Sequence, residues 1–338
     1  MTFTASTSEK IRQDFAHVPV MMQEVLGALP KSGKPGLVVD MTFGGGGYTR
    51  EILEKTHHNV LALDRDPDAI ARGKALKDKY PERLHLVQTV FSKLDSALKE
   101  AGLWRGEEGG TDVGVLDAVV FDLGVSSFQL DQAERGFSFS QNGPLDMRMG
   151  STQTSAADVV ANYDESRLAD IFWRFGQEKL ARQMASAIVN ARKEAPITET
   201  GQLVGIIHKV RSRRHSDRID PATRVFQALR IEVNDELGEI ERGLEKARNL
   251  LGPGGVLVVV SFHSLEDKIV KNFFNKLASK PRHVNKYRAD SVQDDGYEFT
   301  LPQRGVLKPS SDECEINPRS RSARLRVLQR KIKEGEAT

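Results

Sequence analysis

Val38-Val39-Asp40-Met41-Thr42-Phe43-Gly44-Gly45-Gly46-Gly47-Tyr48-Thr49 is the stretch that decides the fold. An apolar run closes on an acid, four glycines follow, and a helix-compatible segment begins. Glycine reaches positive φ without steric cost and lets a ligand come close to the main chain. A strand end, a glycine loop and a helix start, in that order, form a nucleotide-type site in an open α/β sheet. Taken alone, the loop also fits a dinucleotide-binding turn or a purely structural one. A P-loop is excluded, because no Gly-Lys-Ser/Thr follows. Asp40 would face a pyrophosphate poorly and suits a cation, such as the amino group of a methionine-type ligand.

Outward from this loop, strands and helices alternate. Leu37–Met41 reads as a strand and Thr49–Lys55 as a helix. Val60–Asp64 is a second apolar run ending in an acid, and Asp66 with Pro67 opens a helix to Tyr80. Leu84–Val87, then a helix over Ser92–Ala101, then Asp117–Asp122 continue the series. Short β-branched runs between helices predict a parallel sheet covered on both faces. Upstream, residues 1–14 read as a flexible tail and Val18–Leu29 as a short helix. The alternation stops after strand four: 131–152 reads as a loop, and helical patterns follow over 156–163, 165–175, 178–195 and 198–210. Pro221–Leu251 reads as one long helix, Val256–Phe262 as a fifth strand, and Leu325–Leu328 as a last edge strand. The expected division is a core in two parts, 15–130 and 218–338, around a helical insertion at 131–217.

Composition narrows the class. The net charge is +2, so a nucleic-acid surface would have to be a local patch. The single cysteine, Cys314, excludes a disulfide framework and a cysteine-based metal cluster within one chain, and fits a reducing compartment. No apolar run approaches the roughly 20 residues that span a bilayer. A cytoplasmic protein without a membrane segment is expected. The histidines lack metal-ligand spacing, so no metal is expected.

Two further acids stand at strand ends. Asp64 follows the glycines by the interval at which a carboxylate receives ribose hydroxyls. Its alternative role is to start the turn before Asp66-Pro67. Asp122 opens Asp-Leu-Gly-Val-Ser-Ser-Phe-Gln-Leu-Asp (122–131). Ligands of open α/β sheets lie beyond the carboxyl ends of the strands, so Asp40, Asp64 and Asp122 should converge. Phe91, after strand three, suits either an adenine ring or the core.

Together these blocks carry a resemblance. Asp-Met-Thr-Phe-Gly-Gly-Gly-Gly (40–47), Leu-Asp-Arg-Asp-Pro (63–67), the 122–131 block, Glu-Arg-Gly-Phe-Ser-Phe (134–139) and Gly-Pro-Leu-Asp-Met-Arg-Met (143–149) come first. Ala-Thr-Arg-Val-Phe-Gln-Ala-Leu-Arg-Ile (222–231), Ser-Phe-His-Ser-Leu-Glu-Asp (261–267) and Asn-Pro-Arg-Ser-Arg-Ser-Ala-Arg-Leu-Arg (317–326) follow in order. The set resembles the bacterial ribosomal RNA small subunit methyltransferase H family, from His17 to about Arg330. The resemblance implies a class I, Rossmann-like methyltransferase fold, S-adenosylmethionine as cofactor, and methylation of cytidine N4 in the decoding region of 16S rRNA. It also implies a partner, the 16S rRNA or the small ribosomal subunit. It places the family's cofactor contacts on Gly46, Gly47, Tyr48, Asp64, Phe91, Asp122 and Gln129, beside the loop residues Asp40 and Gly44. Two departures stand out: the family usually carries His-Ser where Tyr48-Thr49 stand, and often proline where Phe128 stands.

Cytosine N4 is a weak nucleophile, and an acceptor for its protons would help it. Asp122 is the expected acceptor or else only a cofactor contact, with Asp146 and His263 as further catalytic candidates. Attack from cytosine C5 would need a cysteine, and Cys314 lies outside every strand-end motif. For RNA, Arg211-Ser212-Arg213-Arg214-His215 forms one basic knot. Arg319, Arg321, Arg324, Arg326, Arg330, Lys331 and Lys333 form a second cluster, which on an edge strand would face phosphates. Phe128, Phe137 and Phe139 suit either an extruded base or the core. The long helix and the insertion offer a homodimer surface. Two other functions fit the fold: a nicotinamide-dependent oxidoreductase, against which Asp40 speaks, and a non-catalytic RNA-binding factor, against which the intact acids speak.

Overall fold

The computed structural model describes residues 19–30, 35–104, 116–150, 154–214, 217, 219–278, 298–303 and 305–332. The tail at 1–14, the 105–114 loop, His215, Lys333 and most of the irregular 280–309 segment lie outside these residues. The chain divides into two compact units, 1–124 with 239–338, and 125–238.

The first unit holds a seven-stranded sheet in the order β3-β2-β1-β4-β5-β7-β6. Its strands are β1 (Leu37–Asp40), β2 (Asn59–Asp64), β3 (Leu84–Gln88), β4 (Leu116–Asp122), β5 (Leu251–Ser261), β6 (Phe299–Thr300) and β7 (Arg324–Arg330). The first five pair in parallel, while β7 runs antiparallel to both β5 and β6. Continuous apolar strands such as Val60–Leu63 and Val256–Val260 are buried, as a sheet covered on both faces requires. Helix α1 (Met22–Ala28) precedes β1, and the crossovers are α2 (Gly47–Lys55), α3 (Pro67–Lys79) and α4 (Leu94–Glu100). Asp66 caps α3 by accepting from Asp68 N, with Pro67 at the first helical position, as the sequence predicts.

The second unit is helical: α5 (Ser127–Asp131), α6 (Ala156–Asn162), α7 (Glu165–Arg174), α8 (Ala181–Glu194), α9 (Thr200–Val210) and α10 (Pro221–Asn234). It has its own apolar core, built from residues such as Val160, Phe172, Met184, Ile188, Leu203 and Leu229. Two sequence expectations change here. Pro221–Leu251 is not one helix, because Asp235 adopts φ 47, ψ 42 and separates α10 from α11 (Glu236–Leu250). The helical unit also runs over 125–238 rather than 131–217, because the apolar face of α10 packs into its core.

The start of β5 also differs from expectation. Gly252-Pro253-Gly254-Gly255 lies within the strand, and Leu116 pairs with Leu251 while Ala118 pairs with Val256. The extra residues are absorbed as a bulge, where glycine and proline are tolerated in a strand. After β5 comes α12 (Ser264–Ala278), and α13 (Ser311–Ile316) precedes β7. β7 is flanked by β5 and β6, so it is not an edge strand.

Candidate active site

The strand order reverses at β1, which has β2 on one side and β4 on the other. Asp40 pairs with Ala62 of β2 and Val120 of β4, so Asp64 and Asp122 each lie two residues farther along. That offset is about 7 Å at a typical strand rise. Past Asp40 the chain crosses the gap: Met41 N donates to Val120 O at 2.9 Å, and Phe43 N donates to Leu63 O at 2.8 Å. The glycine loop therefore emerges where an open α/β sheet places its ligand. Gly44 (φ 53) and Gly46 (φ 76) take left-handed conformations, and a Cβ on Gly46 would lie 2.7 Å from the Phe43 ring. Gly46 is the N-cap of α2 and offers no side-chain cap, which leaves the first amides of that helix for an anionic group.

Asp40 itself is not exposed to this crevice. It is fully buried, Thr42 N donates to Oδ1 at 3.0 Å, and Thr49 Oγ1 donates to Oδ2 at 2.6 Å. Burial pushes its carboxyl up, and these donors hold it back. The expectation that it faces a ligand cation is corrected: it ties the end of β1 to the start of α2 and fixes the loop between them. The Thr42 contact is an Asx turn, made by the backbone amide two residues on.

Asp64 and Asp122 are half-buried. Asp64 accepts from Gly44 N at 2.8 Å and Asp66 N at 2.9 Å, so it braces the loop and starts the turn to α3. Burial pushes its carboxyl up to about 6, the amides of Asp66 and Gly44 oppose this, and the charges of Asp66 and Asp40 add to it. Asp122 is pushed well above the ordinary range by burial, then by the charges of Asp40 and Glu266. Its amide donates to Thr42 Oγ1 at 2.8 Å, whereas its Oδ1 is buried with no hydrogen-bond partner. A buried carboxyl oxygen without a donor points to a ligand that supplies one. Phe91 is half-buried, edge-on to Phe121 at 5.3 Å and 83°, and a Cβ on Gly243 would lie 2.6 Å from its Cβ.

Tyr48 is buried, and its hydroxyl donates to Val20 O. Its ring belongs to the core, so only its backbone is left to meet a ligand at the start of α2. In the helical unit, Gln129 is buried and forms a capping box with Ser126: its Oε1 accepts from Ser126 N at 3.0 Å, and Ser126 Oγ accepts from its amide. Phe137 is buried and Phe139 stacks edge-on against Phe226 at 4.8 Å, so both are core rings.

The two further catalytic candidates each face a charged partner, Asp146 an arginine and His263 the Glu266 carboxylate whose charge also reaches Asp122. Arg148 holds Asp146 through two bonds, Nε to Oδ1 at 2.7 Å and Nη2 to Oδ2 at 2.6 Å. Burial raises the Asp146 carboxyl, but Arg148 outweighs it and keeps the group below its ordinary value, unsuited to taking a proton near neutrality. His263 opens α12 with Nε2 3.1 Å from Glu266 Oε1 and Nδ1 accepting from Glu266 N at 3.4 Å. Glu266, which the sequence reading missed, also accepts from Phe262 N and His263 N, so this cluster caps a helix.

Three arginines of the C-terminal cluster meet acids, two of them sharing one carboxylate. Arg324 and Arg326 both bind Asp267, at 2.8 and 2.7 Å. Arg330 is buried, pairs with Glu298 at 2.7 Å and donates to Leu251 O. Arg326 and Arg330 thus fasten β7 to its surroundings rather than joining a phosphate-facing row, while Arg324, which shares Asp267, stays exposed. Arg319 and Arg321 stay exposed on the 3-10 turn Pro318–Ser322, as do Arg213 and Arg214 in the helical unit.

A family model described as the MraW methylase family matches residues 14–331. A protein of Granulibacter bethesdensis named ribosomal RNA small subunit methyltransferase H is 51% identical over 93% of this chain and 91% of its own length. Proteins of the same name from Gluconobacter oxydans and Acidiphilium cryptum are 50% and 49% identical, over 92% and 93% of this chain and 92% and 97% of theirs. The chain belongs to the MraW methylase family and is an S-adenosylmethionine-dependent methyltransferase.

Proposed function

We propose that this protein methylates N4 of a cytidine in the decoding region of 16S rRNA. The observation that carries the reading is the buried, unpartnered Oδ1 of Asp122 at the switch point of the sheet. The residues present fit the cofactor. The backbone of Gly46, Gly47 and Tyr48 would hold its methionine end at the start of α2, Asp64 its ribose, and Phe91 its adenine. S-adenosylmethionine supplies an electrophilic methyl on a sulfonium, and a thiol would be needed only to activate a ring carbon of the acceptor base. The described sheet offers none: Cys314 lies in α13, where Ser320 Oγ donates to its sulfur at 3.7 Å. An exocyclic nitrogen reacts without covalent activation, which favours N4 over ring carbon.

Asp122 is the group left for the amino protons. A carboxylate raised from its ordinary value is a stronger base, closer to the pH at which general-base catalysis works best. Its place is fixed by Thr42, whose own amide is held by Asp40. The three acids thus have separate tasks: Asp40 builds the loop, Asp64 binds the ribose, and Asp122 handles the proton. Incubating purified protein with undermethylated small subunits and mapping the modified nucleoside tests the reaction; methyl on any other position refutes N4. Asp122→Ala is expected to lose turnover at least about a hundredfold while cofactor affinity falls only a few-fold. Equal losses would reduce Asp122 to a cofactor contact.

A further inference from the structure

The helical unit carries a groove of about 1140 Å³ between α7 and α8. On its wall stands Trp173, 61% exposed. Indole rings are rarely left so open, and an exposed aromatic beside cations is a frequent mark of a binding surface. Lys179 and Arg182, both exposed, flank the same groove. Asp170 also lines it, but Arg174 pairs with that carboxylate at 3.1 Å.

The groove is held open by a rigid corner. Between the two helices, Gln177 takes φ 50, and a Cβ on Gly176 would lie 2.5 Å from Arg224 O. Glu178 is buried, faces Arg224 at 3.5 Å and accepts from Leu180 N at 2.9 Å. Gln227 adds a bond to Phe175 O at 2.9 Å. The spacing of α7 and α8 is thus set by the interior of the unit rather than by whatever enters the groove.

We infer that this groove binds single-stranded RNA, with one base stacked on Trp173 and the adjoining phosphates on Lys179 and Arg182. The inference rests on the RNA reading above and gives it a place on the helical unit. The lining favours a nucleotide over an amphipathic peptide. A peptide groove needs large aliphatic side chains, whereas here the apolar residues other than Trp173 are Ala169 and Ala181. The remaining walls are Glu165, an exposed carboxylate that offsets one of the two cations, and Ser166, Gln183 and Ser186, whose hydrogen-bonding groups suit base edges and sugar hydroxyls. Aromatic stacking with flanking cations is the usual arrangement for single strands.

The test uses the full chain with Trp104→Phe, which leaves Trp173 as the sole indole. Titration with a single-stranded RNA decamer is expected to quench its fluorescence. Trp173→Ala should weaken binding of small-subunit rRNA by about fivefold or more at fixed salt, with Trp173→Phe in between and S-adenosylhomocysteine affinity unchanged. Because Trp173 is exposed, its loss should leave the circular dichroism and melting curve unaltered. Wild-type rRNA affinity in Trp173→Ala, or quenching only by a peptide, would overturn the inference. A shift of Trp173→Ala from dimer to monomer in sedimentation would overturn it too, by assigning the groove to a second copy. If the wild-type protein methylates rRNA while Trp173→Ala and Arg182→Glu do so equally well, only this inference fails. If the wild type binds and methylates no rRNA, the proposed function fails with it.

Discussion

Asp64 couples cofactor binding to pH. Its carboxyl is raised from 3.8 to about 6, which amounts to about 3 kcal/mol against the ionised form in the folded protein. For an acid raised in this way, the contribution to stability is present below the unfolded value of 3.8 and is lost as pH rises through about 6. At neutral pH the free protein therefore carries a costly charge. Ribose hydroxyls donate to the ionised carboxylate and relieve it, so binding selects that form. Affinity should rise with pH to about 6 and level off above. At pH 5 roughly a tenth of the sites are ionised, so the dissociation constant should be about tenfold weaker than at pH 8. Calorimetry with S-adenosylhomocysteine over that range reads the slope, and repeating it at pH 5 in buffers of different ionisation enthalpy reads the proton released. Asp64→Asn should bind weakly at every pH and lose most of the slope. A wild-type dissociation constant steady within about twofold from pH 5 to 8 would refute the coupling.

Three other outcomes are expected. Tyr48→Phe strips the buried Val20 carbonyl of its donor and should cost about 1–3 kcal/mol in urea unfolding, with cofactor affinity unchanged because the ring does not face the ligand. Gly243→Ala places a methyl 2.6 Å from Phe91 Cβ and should weaken S-adenosylhomocysteine binding severalfold in a calorimetric titration; unchanged affinity would return Phe91 to the core. Asp267→Asn removes the carboxylate shared by Arg324 and Arg326 and should cost about 2 kcal/mol of stability by urea unfolding, discounted for the partly exposed Arg324.

What could be read from the chain was local. The β-branched runs, their closing acids and the Asp66-Pro67 cap gave the parallel strands and their helices, since each depends on neighbours a few residues away. Side-chain partners from distant segments were not legible. Asp40 looks like a ligand acid from the strand alone; the Thr49 hydroxyl, delivered by folding the loop back, seals it. Arg324 and Arg326 look like free cations until α12 brings Asp267 beneath them. The helix break at Asp235 carries no glycine or proline and was invisible to pattern. Trp173 has a signal only in hindsight: one indole on the charged stretch of an otherwise ordinary amphipathic helix.

The placement of β7 has a consequence for synthesis on the ribosome. β4 acquires its neighbour β5 only after the whole helical unit has been translated, and β5 in turn waits for β7, which follows it in the chain after α12, β6 and α13. The helical unit has its own core and can condense while the sheet is still half built. Until Arg324 to Arg330 emerge, β5 presents an open apolar border to other nascent strands. Truncation within β7 should therefore aggregate the protein rather than merely shorten it.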